Sequence, residues 1–231
     1  MEEVSHMSTP PTDTRKGTIT LESRRFLTED TFEVSFRCPP DFQFVPGQRI
    51  RLHQGQLSRE YSIISAPGDP HIRLCIRMIK GGRFSVLLAA VQPGARFLYS
   101  GPTGHFVFQP SPRSPVLVAT GTGIAPYLSM VSTGLKDFTL LHGIRDELET
   151  YYRDRFEPAA RLYVPCISGK GPEEPASLEV FPGRVTDYLE QRLPLGAYDF
   201  YLCGRREMVQ DAVRLVDARF SDSRVFMEIF Y

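Results

Sequence analysis

Within four residues, Arg59-Glu60-Tyr61-Ser62 supplies a guanidinium, a phenol ring and a hydroxyl, groups that together suit a flat ligand carrying phosphates. An arginine grips a pyrophosphate through parallel N–H donors. A tyrosine offers a face on which a conjugated ring stacks. A serine hydroxyl can donate to or accept from a ring nitrogen, such as flavin N5 if a flavin binds there, though a plain strand end would carry the same residues. Further along, Gly81-Gly82-Arg83-Phe84-Ser85 opens a helix. Glycines let the backbone come close, and a helix start with a hydroxyl suits a diphosphate. The best local motif is Gly121-Thr122-Gly123-Ile124-Ala125-Pro126, which follows the apolar run Val116-Leu117-Val118-Ala119. A glycine turn between a buried strand and a helix brings a dinucleotide's phosphates to unpaired backbone N–H groups. Cys203-Gly204 closes another strand, at the edge where open parallel sheets bind ligands.

The elements that must position these residues fall into two kinds. In the first half, Gly17 to Leu21, Thr31 to Phe36 and Ile72 to Ile79 alternate apolar and polar residues with the strand period of two. Cys38-Pro39-Pro40, Pro46-Gly47, Pro67-Gly68 and Gly81-Gly82 break the runs, and a helix is predicted from Arg83 to Val91. Short strands with regular breaks predict a small antiparallel β-barrel over residues 15–110. The Pro-rich stretch Gln109 to Pro115 reads as a linker. Beyond it, strands are predicted at 115–120, 138–143, 162–167, 199–204 and 224–231, and helices at 127–132, 148–155, 185–192 and 207–219. That alternation predicts a parallel doubly wound α/β domain over residues 111–231. Residues 1–14 read as a disordered lead-in, with Ser5-His6-Met7 as a cloning remnant.

Composition narrows the function classes. Hydrophobic residues at 42% and charged residues at 23% describe an ordinary globular chain. No apolar run is long enough for a membrane span, and the N-terminus lacks the apolar core of a secretory signal, so a cytoplasmic protein is expected. Cys38, Cys75, Cys166 and Cys203 lie too far apart for an iron–sulfur or zinc pattern, so no metal is expected and redox chemistry falls to an organic cofactor. The formal charge is zero overall, yet residues 15–113 hold fourteen Lys and Arg against seven Asp and Glu. Such a basic half attracts an acidic ligand or partner. The arginines are scattered and no recognition motif accompanies them, which argues against nucleic acid.

Taken in order, R-x-Y-S, GG-x-x-S, GP-x-G-x-F, GTGIAP, HG-x-R and CG-x-x-x-M resemble the ferredoxin–NADP reductase family across residues 17–231, most closely its bacterial ferredoxin and flavodoxin reductases. The resemblance implies an N-terminal FAD-binding barrel and a C-terminal nicotinamide-nucleotide domain. It implies an FAD enzyme that moves electrons between NADP(H) and a one-electron carrier, an acidic ferredoxin or flavodoxin, and works as a monomer. By it, Arg59, Tyr61, Ser62, Ile63, Gly82, Phe84 and Ser85, with the backbone at Arg77, Met78 and Ile79, hold FAD. Gly121, Thr122, Gly123, Cys203 and Gly204 shape the nicotinamide site, and Arg145 lies near the adenosine ribose. Ser62, Cys203 and Glu228 form the inner shell around the reacting rings, and Phe230 or Tyr231 covers one flavin face. Where these reductases carry Ser-Arg for the 2′-phosphate, this chain has Ser168-Gly169-Lys170, so a modest NADPH preference carried by Arg145 and Lys170 is expected. Two other readings remain: a reductase of free flavin, and a reductase subunit of a larger multicomponent complex.

Overall fold

The structure is a computed structural model and describes residues 14–169 and 180–230. The first half forms β1 (Arg15–Phe26), β2 (Thr31–Arg37), β3 (Arg49–Gln54), β4 (Leu57–Ser62), β5 (His71–Arg77) and β6 (Arg96–Thr103). They make one antiparallel sheet in the order β4-β3-β6-β1-β2-β5. A bridge between Ile63 and Leu74 brings the two edges together, which curls the sheet into a barrel. Alternate positions send Leu21, Phe32, Phe36, Ile50, Leu52, Leu74 and Phe97 inward, where they are fully or almost fully buried. Each such side chain contributes about 1.5–3 kcal/mol of hydrophobic stabilisation. Helix α1 (Phe84–Ala90) plugs one end with Phe84 and Leu88, and Arg24 donates to the Leu88 and Val91 carbonyls at its close. A strand ending at Arg59–Ser62 was expected and is β4, whereas β3 and β6 were not expected. Strand β3 carries few apolar residues, and in β6 an exposed Leu98 stands between buried Phe97 and Tyr99 and hides the alternation.

The second half supplies β7 (Ser114–Thr120), α2 (Ala125–Ser132), β8 (Thr139–Ile144), α3 (Arg153–Phe156), β9 (Leu162–Ile167), β10 (Phe181–Pro182), α4 (Val185–Gln191), β11 (Tyr198–Arg205), α5 (Arg206–Arg219) and β12 (Arg224–Phe230). All of its pairings are parallel, in the order β10-β9-β8-β7-β11-β12. One face of the sheet packs on α4 and α5 through Val116, Val118, Leu141, Leu189, Val209 and Ala212. The other packs on α2 and α3 through Leu117, Ala119, Tyr127, Leu140 and Phe156. Ile64 and Cys75 of the barrel join this second cluster, so an apolar core runs through the junction of the two domains. At the same junction the Ser129 hydroxyl donates to the Ser65 carbonyl at 2.7 Å.

One predicted helix is broken. Residues 148–155 do not form a single helix: Glu147–Glu149 is a 3-10 turn, Tyr152 takes a left-handed φ of 57°, and α3 is only one turn long. The barrel draws these tyrosines across. The Tyr151 hydroxyl lies 3.0 Å from that of Thr31, and Tyr152 donates to Glu33 Oε2 at 3.0 Å. A left-handed non-glycine residue costs roughly 1–2 kcal/mol, and two hydrogen bonds across the domain boundary offset it. All four cysteines are free thiols.

Candidate active site

Strand β7 has β8 on one side and β11 on the other, so the sheet's crevice opens at the C-terminal ends of β7 and β11. The 3-10 turn Gly121–Ile124 sits there and packs directly on the end of β11. A Cβ on Gly123 would lie 2.3 Å from the Cys203 carbonyl oxygen, and one on Gly204, whose φ is +140°, would meet Thr120 Oγ1. Only glycines let these two chain segments touch. Thr120 Oγ1 instead accepts from the Arg205 N–H at 3.0 Å, and Gly121 and Thr122 are left half-buried at the mouth of the crevice. Beneath the turn, buried His142 donates from Nε2 to the Gly121 carbonyl at 3.0 Å and accepts at Nδ1 from the Tyr163 hydroxyl at 3.2 Å. Burial lowers its pKa to about 4, so the ring is a neutral support under the turn.

Three residues far apart in the chain converge at this edge. Glu228 on β12 is in register with Cys203 on β11, and its Oε2 accepts from the Ser62 hydroxyl at 3.1 Å. All three are buried. Burial raises the Glu228 carboxyl, while the Arg49 guanidinium and the Ser62 hydrogen bond pull it back down. Burial, with the nearby Glu228 charge, holds the Cys203 thiol well above its ordinary pKa, so it is a thiol and not a thiolate. Arg49 and Glu60, neither of them expected at the site, complete the group: Arg49 Nε lies 3.2 Å from Glu228 Oε1 and Nη1 3.2 Å from Glu60 Oε2. A lone strand arginine carries no motif, so only the pairing of β3 with β4 reveals it.

The other residues singled out for the flavin surround the end of β4. Arg59 is exposed, and its polar contact is with the Ser58 carbonyl at 2.8 Å. Among the described residues no carboxylate pairs with it. Tyr61 stands 6.2 Å from the Phe84 ring, and burial raises its phenol well above the usual range. Ile63 and Phe84 turn their side chains into the barrel core, so they can meet a ligand only through backbone. The loop between β5 and α1 is tight: Gly82 N donates to the Ile79 carbonyl at 2.7 Å and Ile79 N donates to Ser85 Oγ at 3.3 Å. Ile79 is exposed, and Met78 N donates to the Asp30 carbonyl. The Arg77 guanidinium points to the domain boundary, where it pairs with Asp30 at 2.8 Å and Glu149 at 3.0 Å. An unpaired guanidinium beside a half-buried tyrosine and a buried serine fits a flavin dinucleotide.

On the nucleotide side, Arg145 is exposed at the end of β8, and its backbone N–H donates to Glu149 Oε2 at 3.2 Å. The Ser168 hydroxyl donates to the Ile144 carbonyl at 3.2 Å. A Cβ on Gly169 would lie 2.3 Å from the Arg145 carbonyl oxygen, so close packing of two backbones is why no arginine stands at this position. Phe230 ends β12 half-buried against the apolar cluster at the domain junction. Lys170 and Tyr231 lie outside the described residues.

The oxidoreductase FAD-binding domain model matches residues 18–108, and the oxidoreductase NAD-binding domain model matches residues 117–214. The chain is 29% identical over 99% of its length to the ferredoxin–NAD(P)(+) reductase component of the naphthalene 1,2-dioxygenase system of Pseudomonas putida, of which it covers 73%. It is 29% identical over 86% of its length to the toluate 1,2-dioxygenase electron transfer component of the same organism, covering 62% of that protein. Against ferredoxin–NADP reductase B of Sorangium cellulosum the identity is 38% over 52% of this chain and 54% of the relative. The chain thus spans between about half and three quarters of the length of these relatives. Among solved structures, the Amycolatopsis cytochrome P450 reductase GcoB superposes with a TM-score of 0.83 at 26% identity, over 96% of this chain and 71% of that one. A ferredoxin–NADP+ reductase of Neisseria gonorrhoeae with bound FAD and NADP has the same fold, with a TM-score of 0.79 at 21% identity over 94% of this chain and 99% of that one. With an FAD-binding barrel, a nicotinamide-nucleotide sheet and the six ordered motifs in one chain, this protein belongs to the ferredoxin–NADP reductase family of FAD-dependent oxidoreductases.

Proposed function

We propose that this oxidoreductase takes a hydride from NADPH onto FAD and passes the electrons singly to a ferredoxin or flavodoxin, acting as a cytoplasmic monomer. Residues 15–110 hold FAD and residues 111–231 the nicotinamide nucleotide. The observation that carries the reading is the meeting of Ser62, Cys203 and Glu228 where the barrel edge faces the C-terminal ends of β7 and β11. FAD supplies a ring that accepts hydride and releases electrons one at a time. Arg59 neutralises its pyrophosphate, Tyr61 flanks its ring, and the Ile79–Ser85 loop offers backbone N–H groups. Thr122 and Cys203 bound the space for the nicotinamide, and neutral His142 keeps the Gly121 turn in place. Holding two rings in contact, with water excluded, is the main task of such a site. Arg145 is the charge offered to a 2′-phosphate; as Gly169 leaves no room for a second arginine, the preference for NADPH over NADH is modest.

A second reading, the reductase component of a multicomponent oxygenase, is favoured by a dioxygenase reductase relative that aligns with 99% of this chain. Both readings share the flavin chemistry and differ in the acceptor. Reconstitution separates them and tests the proposal: with NADPH as donor, purified protein should reduce an acidic ferredoxin or a flavodoxin at a saturable rate. Reduction of neither carrier, with rapid reduction of an oxygenase component, would favour the second reading. Turnover of free flavin alone would make it a flavin reductase.

A further inference from the structure

The carboxylate beside the proposed flavin site is held from behind by an arginine that no motif marks. Arg49 begins β3, in register with Ser62 on β4 and with Thr103 on β6. Its guanidinium lies between two acids, 3.2 Å from Glu228 Oε1 and 3.2 Å from Glu60 Oε2. The second Glu60 oxygen is taken by Arg51, at 2.7 Å from Nη2 and 3.2 Å from Nε. The result is a row of alternating charge, Arg51–Glu60–Arg49–Glu228, that ends on the Ser62 hydroxyl. It runs from an Arg51 side chain 47% exposed to a Glu228 side chain 5% exposed.

We infer that Arg49 is a positioning residue for Glu228, holding its carboxylate against Ser62 and coupling it through Glu60 to the surface. The inference rests on the proposed placement of Ser62 and Glu228 at the flavin. A buried carboxylate needs a partner charge, and among the described residues Arg49 is the cation paired with Glu228. The other titratable groups around Glu228 are the Cys203 thiol and the Tyr127 phenol, both held neutral by burial. Burial raises Glu228 most and Glu60 adds to it, while Arg49, ahead of Ser62, lowers it, so Arg49 is the charge set against burial and Glu60 tempers it. The geometry leaves that balance adjustable. Arg49 Nε and Thr103 Oγ1 are buried with no hydrogen-bond acceptor or donor met, so the Nε–H is close to the carboxylate without being aimed at it. Gly104 opens the space: a Cβ there would lie 3.4 Å from Arg49 Nε and 3.9 Å from Glu228 Oε1.

The test is the pH dependence of the bound flavin's midpoint potential in the FAD-loaded protein, by spectroelectrochemistry, with FAD content and melting temperature as controls. A carboxyl that titrates beside the ring puts a break in that dependence. Glu228→Gln should abolish the break. Arg49→Met should move it to higher pH, Arg49→Lys should restore it part of the way, and Glu60→Gln should move it to lower pH. Opposite shifts from the two neighbours are not produced by a merely structural role. A break that stays in place in both Arg49→Met and Glu60→Gln, while Glu228→Gln removes it, overturns the inference and spares the placement of Glu228. A break unchanged by Glu228→Gln overturns that placement instead. If Arg49→Met fails to hold FAD, Glu60→Gln decides: an unmoved break overturns the inference.

Discussion

Glu228 and His142 are buried titratable groups with opposite duties, and each makes a prediction at the scale of a single residue. Glu228 accepts from Ser62, so replacing it by Gln removes a charge without removing volume. The Glu228→Gln protein should keep its FAD and lose about a hundredfold in electron delivery to a one-electron acceptor, the low end of what a positioned acid–base group contributes. Rapid-reaction spectra of the two proteins make the comparison, and equal rates would remove Glu228 from the inner shell. His142 is neutral because its pKa is lowered to about 4 in the fold. A base whose folded pKa lies below its unfolded value contributes its full stability above about pH 6.5 and loses it as pH falls toward 4. The loss should approach roughly 3 kcal/mol, and His142→Asn should be less stable at pH 7 but flatter across that window. Urea melts at a series of pH values read this directly. The family resemblance pointed to Ser62 and Glu228 together, but their 3.1 Å contact exists only once β12 is laid beside β11, and the support His142 gives was not legible at all. Arg49 was missed for the same reason.

At the scale of elements, the turn after β7 and the broken helix before α3 are each shaped by a distant part of the chain. Gly121-Thr122-Gly123 was readable because a buried apolar run, a glycine turn and a proline-started helix are local signals. Its reason was not local, since Gly123 is needed by the carbonyl of Cys203, eighty residues on. Gly123→Ala should force the turn off β11 at an overpacking cost of about 1–3 kcal/mol. Nucleotide affinity should then fall roughly tenfold or more, with FAD retained because the barrel is untouched. Equilibrium titration of nicotinamide nucleotide against flavin absorbance measures both. The helix expected over residues 148–155 shows the limit of periodicity. Its apolar spacing is helical, yet Tyr151 and Tyr152 find hydrogen bonds in the other domain that a continuous helix would not reach. Tyr152→Phe leaves Glu33 without that donor and should cost about 1 kcal/mol, seen as a lowered thermal midpoint.

For the molecule as a whole, the two-domain plan was legible because the two halves differ in period, and the missing strands β3 and β6 were the ones with too little apolar contrast to mark themselves. Charge is divided in the same way. The barrel half, residues 15–113, holds fourteen basic residues against seven acidic ones, so an acidic carrier should be drawn to it. Its second-order reduction rate should fall markedly as ionic strength rises and the Debye length shrinks from about 10 Å at 0.1 M to about 3 Å at 1 M. A rate indifferent to salt would make the asymmetry incidental. The proposed activity rests on one event, hydride passing from a nicotinamide to a flavin held by this chain. Anaerobic titration of the purified protein with NADPH, followed in the visible spectrum, observes that event alone. The account predicts a yellow protein that releases FAD on denaturation and whose flavin absorbance bleaches fully with about one NADPH per FAD, the stoichiometry of a two-electron hydride donor. A protein that cannot be loaded with FAD, or a bound flavin that NADPH and NADH both leave oxidised, would contradict it.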